Sequence, residues 1–149
     1  MDPHPDFENT ELPRSATLNA FALTPLDASA MDEDYAAVTR SEGVLKGLFG
    51  NEWPVGLTEK DNLADLHWHD REFKLKRSFS WVIRDRDGIY LGCAYIMPDP
   101  GKCGTAQVFT WIRDVGDRAK LNRAFDAELA AWFADVLPGD LTLRWTRPD

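Results

Sequence analysis

Thr105-Ala-Gln-Val-Phe-Thr-Trp-Ile-Arg-Asp114 runs through Val115-Gly-Asp-Arg118 into a segment where Leu121, Phe125, Leu129, Trp132, Phe133 and Val136 recur at helical spacing. In the first part Phe109 and Trp111 alternate with Val108, Thr110 and Ile112, so both faces are apolar, as in a central strand covered on both sides. The second part reads as an amphipathic helix to about Leu137. A helix starting at the end of a buried strand has backbone N–H groups without intrahelical partners, and with the helix dipole these can hold a phosphate. Arg113, Arg118, Lys120 and Arg123 surround that start. The stretch points to a mixed α/β domain and to a nucleotide-tailed ligand. An ordinary reading stands beside it: Asp117 as an N-cap that satisfies the free donors itself.

Downstream, Leu141-Thr-Leu-Arg-Trp145 reads as the last strand. The long helix must cross over before it, so this strand is expected beside and parallel to the 105–114 segment, with a cleft where the two diverge. Upstream, Phe79, Trp81 and Ile83 alternate with polar or small neighbours, Asp87-Gly88 makes a tight turn, and Ile89 to Met97 returns as a partner strand. Pro98-Asp-Pro-Gly101 and Gly104 form the next connection.

Phe21 to Leu26 reads as the first strand, ended by Pro25. Ser29 to Phe49 carries Tyr35, Val38, Leu45, Leu48 and Phe49 at helical spacing, with Gly43 as an expected break. Thr58 with Asp61 three residues later resembles a capping pair, opening a second helix to about Arg77. Its inward stripe is read as Leu63, Leu66, Asp70 and Phe73 with His67 alongside, leaving Asp61, Asp65, His69 and Glu72 on a solvated face. Residues 1–18 are polar, with Pro3, Pro5 and Pro13, and are expected to form an acidic, disordered tail before a single domain over 19–149.

Composition narrows the function. The 149 residues are 44% apolar with six Trp, enough for one sizeable core and too few for two ordinary domains. A net charge of -8 argues against a generic nucleic-acid binder, which needs clustered Lys and Arg. The acidity is local. Before Tyr35 eight Asp or Glu face only Arg14, whereas from Ser78 onward ten acids meet nine bases, so the later half can host an anion. Cys93 and Cys103 lack a paired-ligand spacing, so no metal, structural zinc or disulfide framework is expected, and a reducing cytoplasm is the simplest compartment. No run of about 18 apolar residues occurs and the N-terminus is acidic, so neither membrane insertion nor export is expected.

The order of strand, helix, helix, three-strand meander, long helix and strand resembles the GNAT superfamily of acyl-CoA-dependent N-acetyltransferases. So do Tyr90-Leu-Gly-Cys-Ala-Tyr-Ile-Met97, with its early glycine, and the step from strand to long helix. The likeness runs from about Phe21 to the C-terminus. It implies a GNAT-like α/β fold, a mixed, mostly antiparallel sheet with helices on both faces and a parallel pair made by the fourth and fifth strands. It also implies acetyl-CoA or another acyl-CoA as cofactor, with direct transfer of the acyl group to an amine. Carried over residue by residue, the backbone of Ile112, Arg113 and Asp114 would orient the pantetheine, and Val115, Gly116, Asp117, Arg118 and Ala119 would hold the pyrophosphate.

Three departures from the family pattern are visible. Its pyrophosphate loop reads Gln or Arg, two residues, Gly, one residue, Gly or Ala, whereas Val115 to Ala119 carries a single glycine and an acidic Asp117. Some relatives place a Glu on the fourth strand as base, and this region offers Gln107, which takes up no proton at ordinary pH. The family's further helix and terminal hairpin, with a Tyr that protonates the thiolate, have no counterpart before Asp149, so the fold is expected to be shortened at the C-terminus.

The catalytic candidates are therefore His67, one turn from the carboxylate of Asp70, Glu72, and Tyr95. Tyr90 and Tyr95 are expected on opposite faces of the third strand, with Cys93 sharing the face of Leu91 and Tyr95. The leading reading is an N-acetyltransferase-like enzyme acting on a small-molecule amine. A non-catalytic binding module for a CoA-like molecule is the alternative. A homodimer in which a second subunit covers the exposed last strand is a third expectation.

Overall fold

The two strands flanking the central turn-and-helix step are β5 (Thr105–Ile112) and β6 (Thr142–Thr146), with α4 (Arg118–Val136) between them, in a computed structural model that describes residues 2–149. Preceding them are β1 (Ala16–Thr17), β2 (Phe21–Pro25), α1 (Met31–Arg40), α2 (Glu42–Leu45), α3 (Glu59–Lys74), β3 (Phe79–Asp85) and β4 (Tyr90–Pro98). The strands form one sheet in the order β1-β2-β3-β4-β5-β6. Every neighbouring pair is antiparallel except β5 and β6, which run parallel from Thr105↔Thr142 to Phe109↔Thr146. The parallel pair is thus fifth and sixth in the sheet, not fourth and fifth, because the two-residue β1, too short to leave a periodic signal, advances the count.

The sheet separates two apolar clusters. Trp81, Ile83, Ile96, Val108, Ile112, Phe125, Leu129 and Phe133 fill the one under α4. Leu26, Val38, Leu45, Leu66, Val82, Cys93, Tyr95 and Trp111 fill the one under α1, α2 and the middle of α3. Alternation along β5 sends Val108 and Ile112 to the first and Trp111 to the second, which makes this strand the wall common to both.

The N-terminal segment is not a disordered tail. Phe7 is 0% exposed and stacks on Phe79 with centroids 5.0 Å apart, Leu12 joins the same cluster, and the indole of Trp81 donates to the Pro13 carbonyl at 2.9 Å. One aromatic side chain with a deep seat orders a segment whose average polarity suggests disorder. The first residue of that expected tail lies outside the described residues.

The helical break after α1 falls at Ser41, not Gly43. The Ser41 hydroxyl accepts from the backbone N–H of Asp114 at 2.9 Å, and that tertiary bond takes precedence over helix continuity, while Gly43 stays helical inside α2. In β4, Gly92 opposes Ile83 and Tyr90 opposes Arg84, so Leu91 is an extra residue, a bulge. The bulge overturns strict alternation. Tyr90, Cys93 and Tyr95 all face the α1 side and Leu91 faces α4, because one inserted residue shifts the phase of everything before it. Gly92 itself has no room for a side chain: a Cβ there would lie 1.9 Å from the carbonyl oxygen of Trp111.

Candidate functional site

α3 begins where Thr58 accepts from the Asp61 amide at 3.1 Å, the capping pair read from the sequence. Its buried face is rotated by about one residue from the expected stripe. Asn62, Leu66, Glu72 and Phe73 are buried, whereas Leu63 and His67 are exposed. Asp70 turns to Arg14 at 2.8 Å and Lys74 at 2.9 Å, so the expected His67–Asp70 pairing is replaced by surface ion pairs. The side chains assigned to a solvated face, Asp65, His69 and Glu72, instead line a cavity of about 740 Å³.

This cavity lies between α1, α3, the loop at 46–57 and the ends of β4 and β5. Tyr95, Met97, Gln107 and Phe109 come from the strands, Phe49 and Trp53 from the loop, and Asp34 from α1. An aromatic wall runs across it. Phe49 sits 5.2 Å from Trp53, 5.4 Å from Tyr95 and 4.9 Å from Phe109, centroid to centroid, and His69 stacks at a tilt on Tyr95 at 5.4 Å.

Behind the wall lies a closed polar network. The Asp34 carboxylate accepts from the Tyr90 hydroxyl at 2.6 Å and from Asn62 Nδ2 at 2.9 Å, and Trp111 Nε1 donates to the Tyr95 hydroxyl at 3.1 Å. Burial raises the pKa of Asp34 against the pull of those hydrogen bonds, and burial likewise pushes Tyr90, Cys93 and Tyr95 well above their ordinary values. Both phenols and the thiol therefore keep their protons at neutral pH, and Cys93 is a buried packing residue and not a nucleophile. Desolvation drops His69 to about 4, so its imidazole is neutral. Asp65 is raised, mainly by desolvation and then by the charges of Asp34 and Asp61.

Gln107 donates to Asp99 at 3.3 Å, and Asp99 is also held by Thr105 Oγ1 at 2.6 Å and Arg144 at 2.7 Å. The bond to Thr105, followed by the neighbouring amide and cation, keeps the Asp99 carboxyl below the usual carboxylate range. Glu72 faces Arg77 with Oε2 and Nε 3.2 Å apart. Of the three catalytic candidates, Tyr95 and Glu72 stand in this cavity and His67 does not, since it lies two positions along the helix from the face that turns inward. Sequence reasoning set Asp65 and His69 on a solvated face and missed Asp34 and Asp99. The signal available was the i, i+4 spacing of Asp65 and His69.

The phosphate-loop candidates lie at the other end of β5. Past Phe109 that strand is bonded only to β4, through Gly92, Cys93 and Ala94, and among the described residues no strand pairs with its opposite edge. Ile112 is buried opposite Gly92, Arg113 is half-buried and donates its backbone N–H to Leu91 at 2.7 Å, and the Asp114 amide is taken by Ser41. Val115 accepts from the Arg118 amide and Asp117 from Leu121, while Asp117 makes no side-chain cap, so the ordinary capping reading fails. Gly116 is exposed, with open space where a side chain would project. Arg118 donates to the Asp149 carbonyl, and Ala119 sits half-buried in the first turn of α4. Nearby, Asp126 is buried, accepts from Thr110 at 2.6 Å and meets Arg147 at 2.9 Å.

No protein-family model matches this sequence, and no characterised protein matches it by sequence. The fold does match known structures. RimL, a ribosomal L7/L12 alpha-N-protein acetyltransferase in complex with coenzyme A, superposes with a TM-score of 0.66 at 14% identity, over 91% of this chain and 72% of that one. A GCN5-related N-acetyltransferase from Brucella melitensis gives 0.61 at 18% identity, over 92% and 60%. RimJ from Mycobacterium smegmatis in complex with CoA-disulfide gives 0.55 at 18% identity, over 79% and 62%. The chain therefore has the GNAT fold and spans between 60% and 72% of the length of these proteins. Among the described residues no helix is long and apolar enough to cross a membrane.

Proposed function

We propose that this protein transfers an acyl group from acyl-CoA to an amine. The observation that carries the reading is the bare edge of β5. It separates the cavity wall at Phe109 from the open amides before α4, and the three residue steps from Phe109 to Ile112 span about 10 Å. An extended arm with a phosphate at one end and a reactive acyl group at the other suits that path. Coenzyme A bound in structures of this fold supports the same reading.

In this reading the β5 backbone around Ile112 to Asp114 orients the pantetheine, and the amides of Val115, Gly116, Asp117 and Ala119, with the guanidinium of Arg118, hold the pyrophosphate. Arg118 exchanges the Asp149 carbonyl for phosphate oxygens on binding. Proximity of the two reactants supplies most of the rate. Neutral His69 accepts a hydrogen bond from the amine and orients it, and the proton that the ammonium sheds leaves through water to solvent. The free amine attacks the thioester carbonyl, the C–N bond forms and the C–S bond breaks. Tyr95, still protonated, donates to the departing sulfur and regains its proton from the new amide nitrogen, which sheds one as the C–S bond breaks. Glu72 stays paired with Arg77 and shapes the wall.

Thermal melting tests the reading. Acetyl-CoA at about 100 times its dissociation constant adds roughly 2.7 kcal/mol and raises the midpoint by about 5–10 °C. Arg118→Ala is expected to remove most of that shift. An unchanged midpoint at millimolar acetyl-CoA refutes the proposal.

A further inference from the structure

The cavity carries a charge pattern that the acyl-transfer reading leaves unassigned. Asp34, Glu72 and Asp99 are each held by partners inside the fold, through Tyr90 and Asn62, Arg77, and Thr105 with Arg144. Asp65 stands at the rim, one helical turn before His69, and makes no hydrogen bond or ion pair among the described residues. The same lining carries the contiguous aromatic surface of Trp53, Phe49, Phe109 and Tyr95. The cation in the lining, Arg77, is matched by Glu72. An anionic guest thus finds no unpaired positive group, whereas an ammonium finds an unpaired carboxylate and several π faces.

We propose that Asp65 is the specificity-determining anchor for the acceptor, and that the acceptor is a small primary amine, cationic when it binds, on a flat hydrophobic body of the arylalkylamine kind. This rests on the acyl-transfer reading for the role of the guest and on the cavity alone for its chemistry. The volume of about 740 Å³ matches a small-molecule site and holds such a body against the aromatic wall, with its nitrogen beside Asp65 and His69. Acceptors bearing phosphate or carboxylate close to the amine are disfavoured by the same carboxylates.

Two experiments on the full chain separate this inference from the reading beneath it. The first measures quenching of tryptophan fluorescence, without cofactor, by benzyltrimethylammonium and by benzyl alcohol. The wild type is expected to bind the cation at least tenfold more tightly, and Asp65→Asn to erase the difference. The second measures acetylation of phenethylamine, where Asp65→Asn is expected to raise KM at least tenfold, by more than it lowers kcat, with the acetyl-CoA melting shift intact. Equal binding of cation and alcohol by the wild type, or a preference that survives in Asp65→Asn, overturns the anchor. Should the cation preference hold while acetyl-CoA fails to shift the midpoint, the ammonium site stands and acyl transfer falls. An acetyl-CoA shift with no cation preference removes the ammonium site and leaves acyl transfer standing.

Discussion

An imidazole in a cavity wall loses hydration when it takes a charge, and His69, at about 4, carries that penalty in the folded state alone. Between pH 6.5 and 4 the unfolded chain binds the proton and the native one does not, so stability falls as the solution is acidified through this window. The loss for His69 reaches at most about 3 kcal/mol. Asp34 acts in the opposite sense, since burial raises it and acidification relieves the cost of its charge. Urea midpoints at pH 7 and 4.5 for the wild type and His69→Gln isolate the histidine. The acid-linked loss is expected to shrink by about 1–3 kcal/mol in the variant, and an identical loss in both counts against a desolvated imidazole. At this scale the sequence is partly legible. Tyr95 and Glu72 reach the cavity, but the sequence favours His67 over His69, because a carboxylate one turn away at Asp70 suggests a pair that Arg14 and Lys74 claim instead.

At the scale of elements, α3 carries much of the cavity and its start depends on Thr58. Thr58→Ala removes the acceptor for the Asp61 amide and is expected to cost about 1 kcal/mol, read as a lower midpoint in urea. That cap is visible in the sequence, as are the β3–β4 hairpin and the inward stripe of α4. The rotation of α3 is not. An apolar stripe marks the buried face of a helix only where it packs on other side chains. Here the helix borders an open cavity, so Asp65, His69 and Glu72 turn toward it while Leu63 is left outside. The phase of β4 is hidden for a different reason. The bulge at Leu91 adds a residue without altering the composition of the strand, and strict alternation has no way to register it.

For the whole molecule, the N-terminal segment is part of the core. His4 donates its backbone N–H to Lys76 O at 3.0 Å, Asp6 accepts from the Gly104 amide at 2.9 Å, and Phe7 fills a space beside Phe79. Phe7→Ala is therefore expected to destabilise the entire domain by about 3–4 kcal/mol in denaturant titration. A loss under about 1 kcal/mol would mean the segment is dispensable. Averaged polarity hides this anchor, because one buried ring among prolines and acids barely changes the mean.

The close approach at Gly92 reaches further than its own strand pair. With the Trp111 carbonyl pressed against its Cα, the middle of the sheet behaves as the fixed jaw of a vice, unable to spread or tighten by exchanging side chains at that point. The facing jaw is α3 together with the 46–57 loop. Any retooling of the pocket for a guest of different shape falls to those two pieces, while the sheet holds the reference distance.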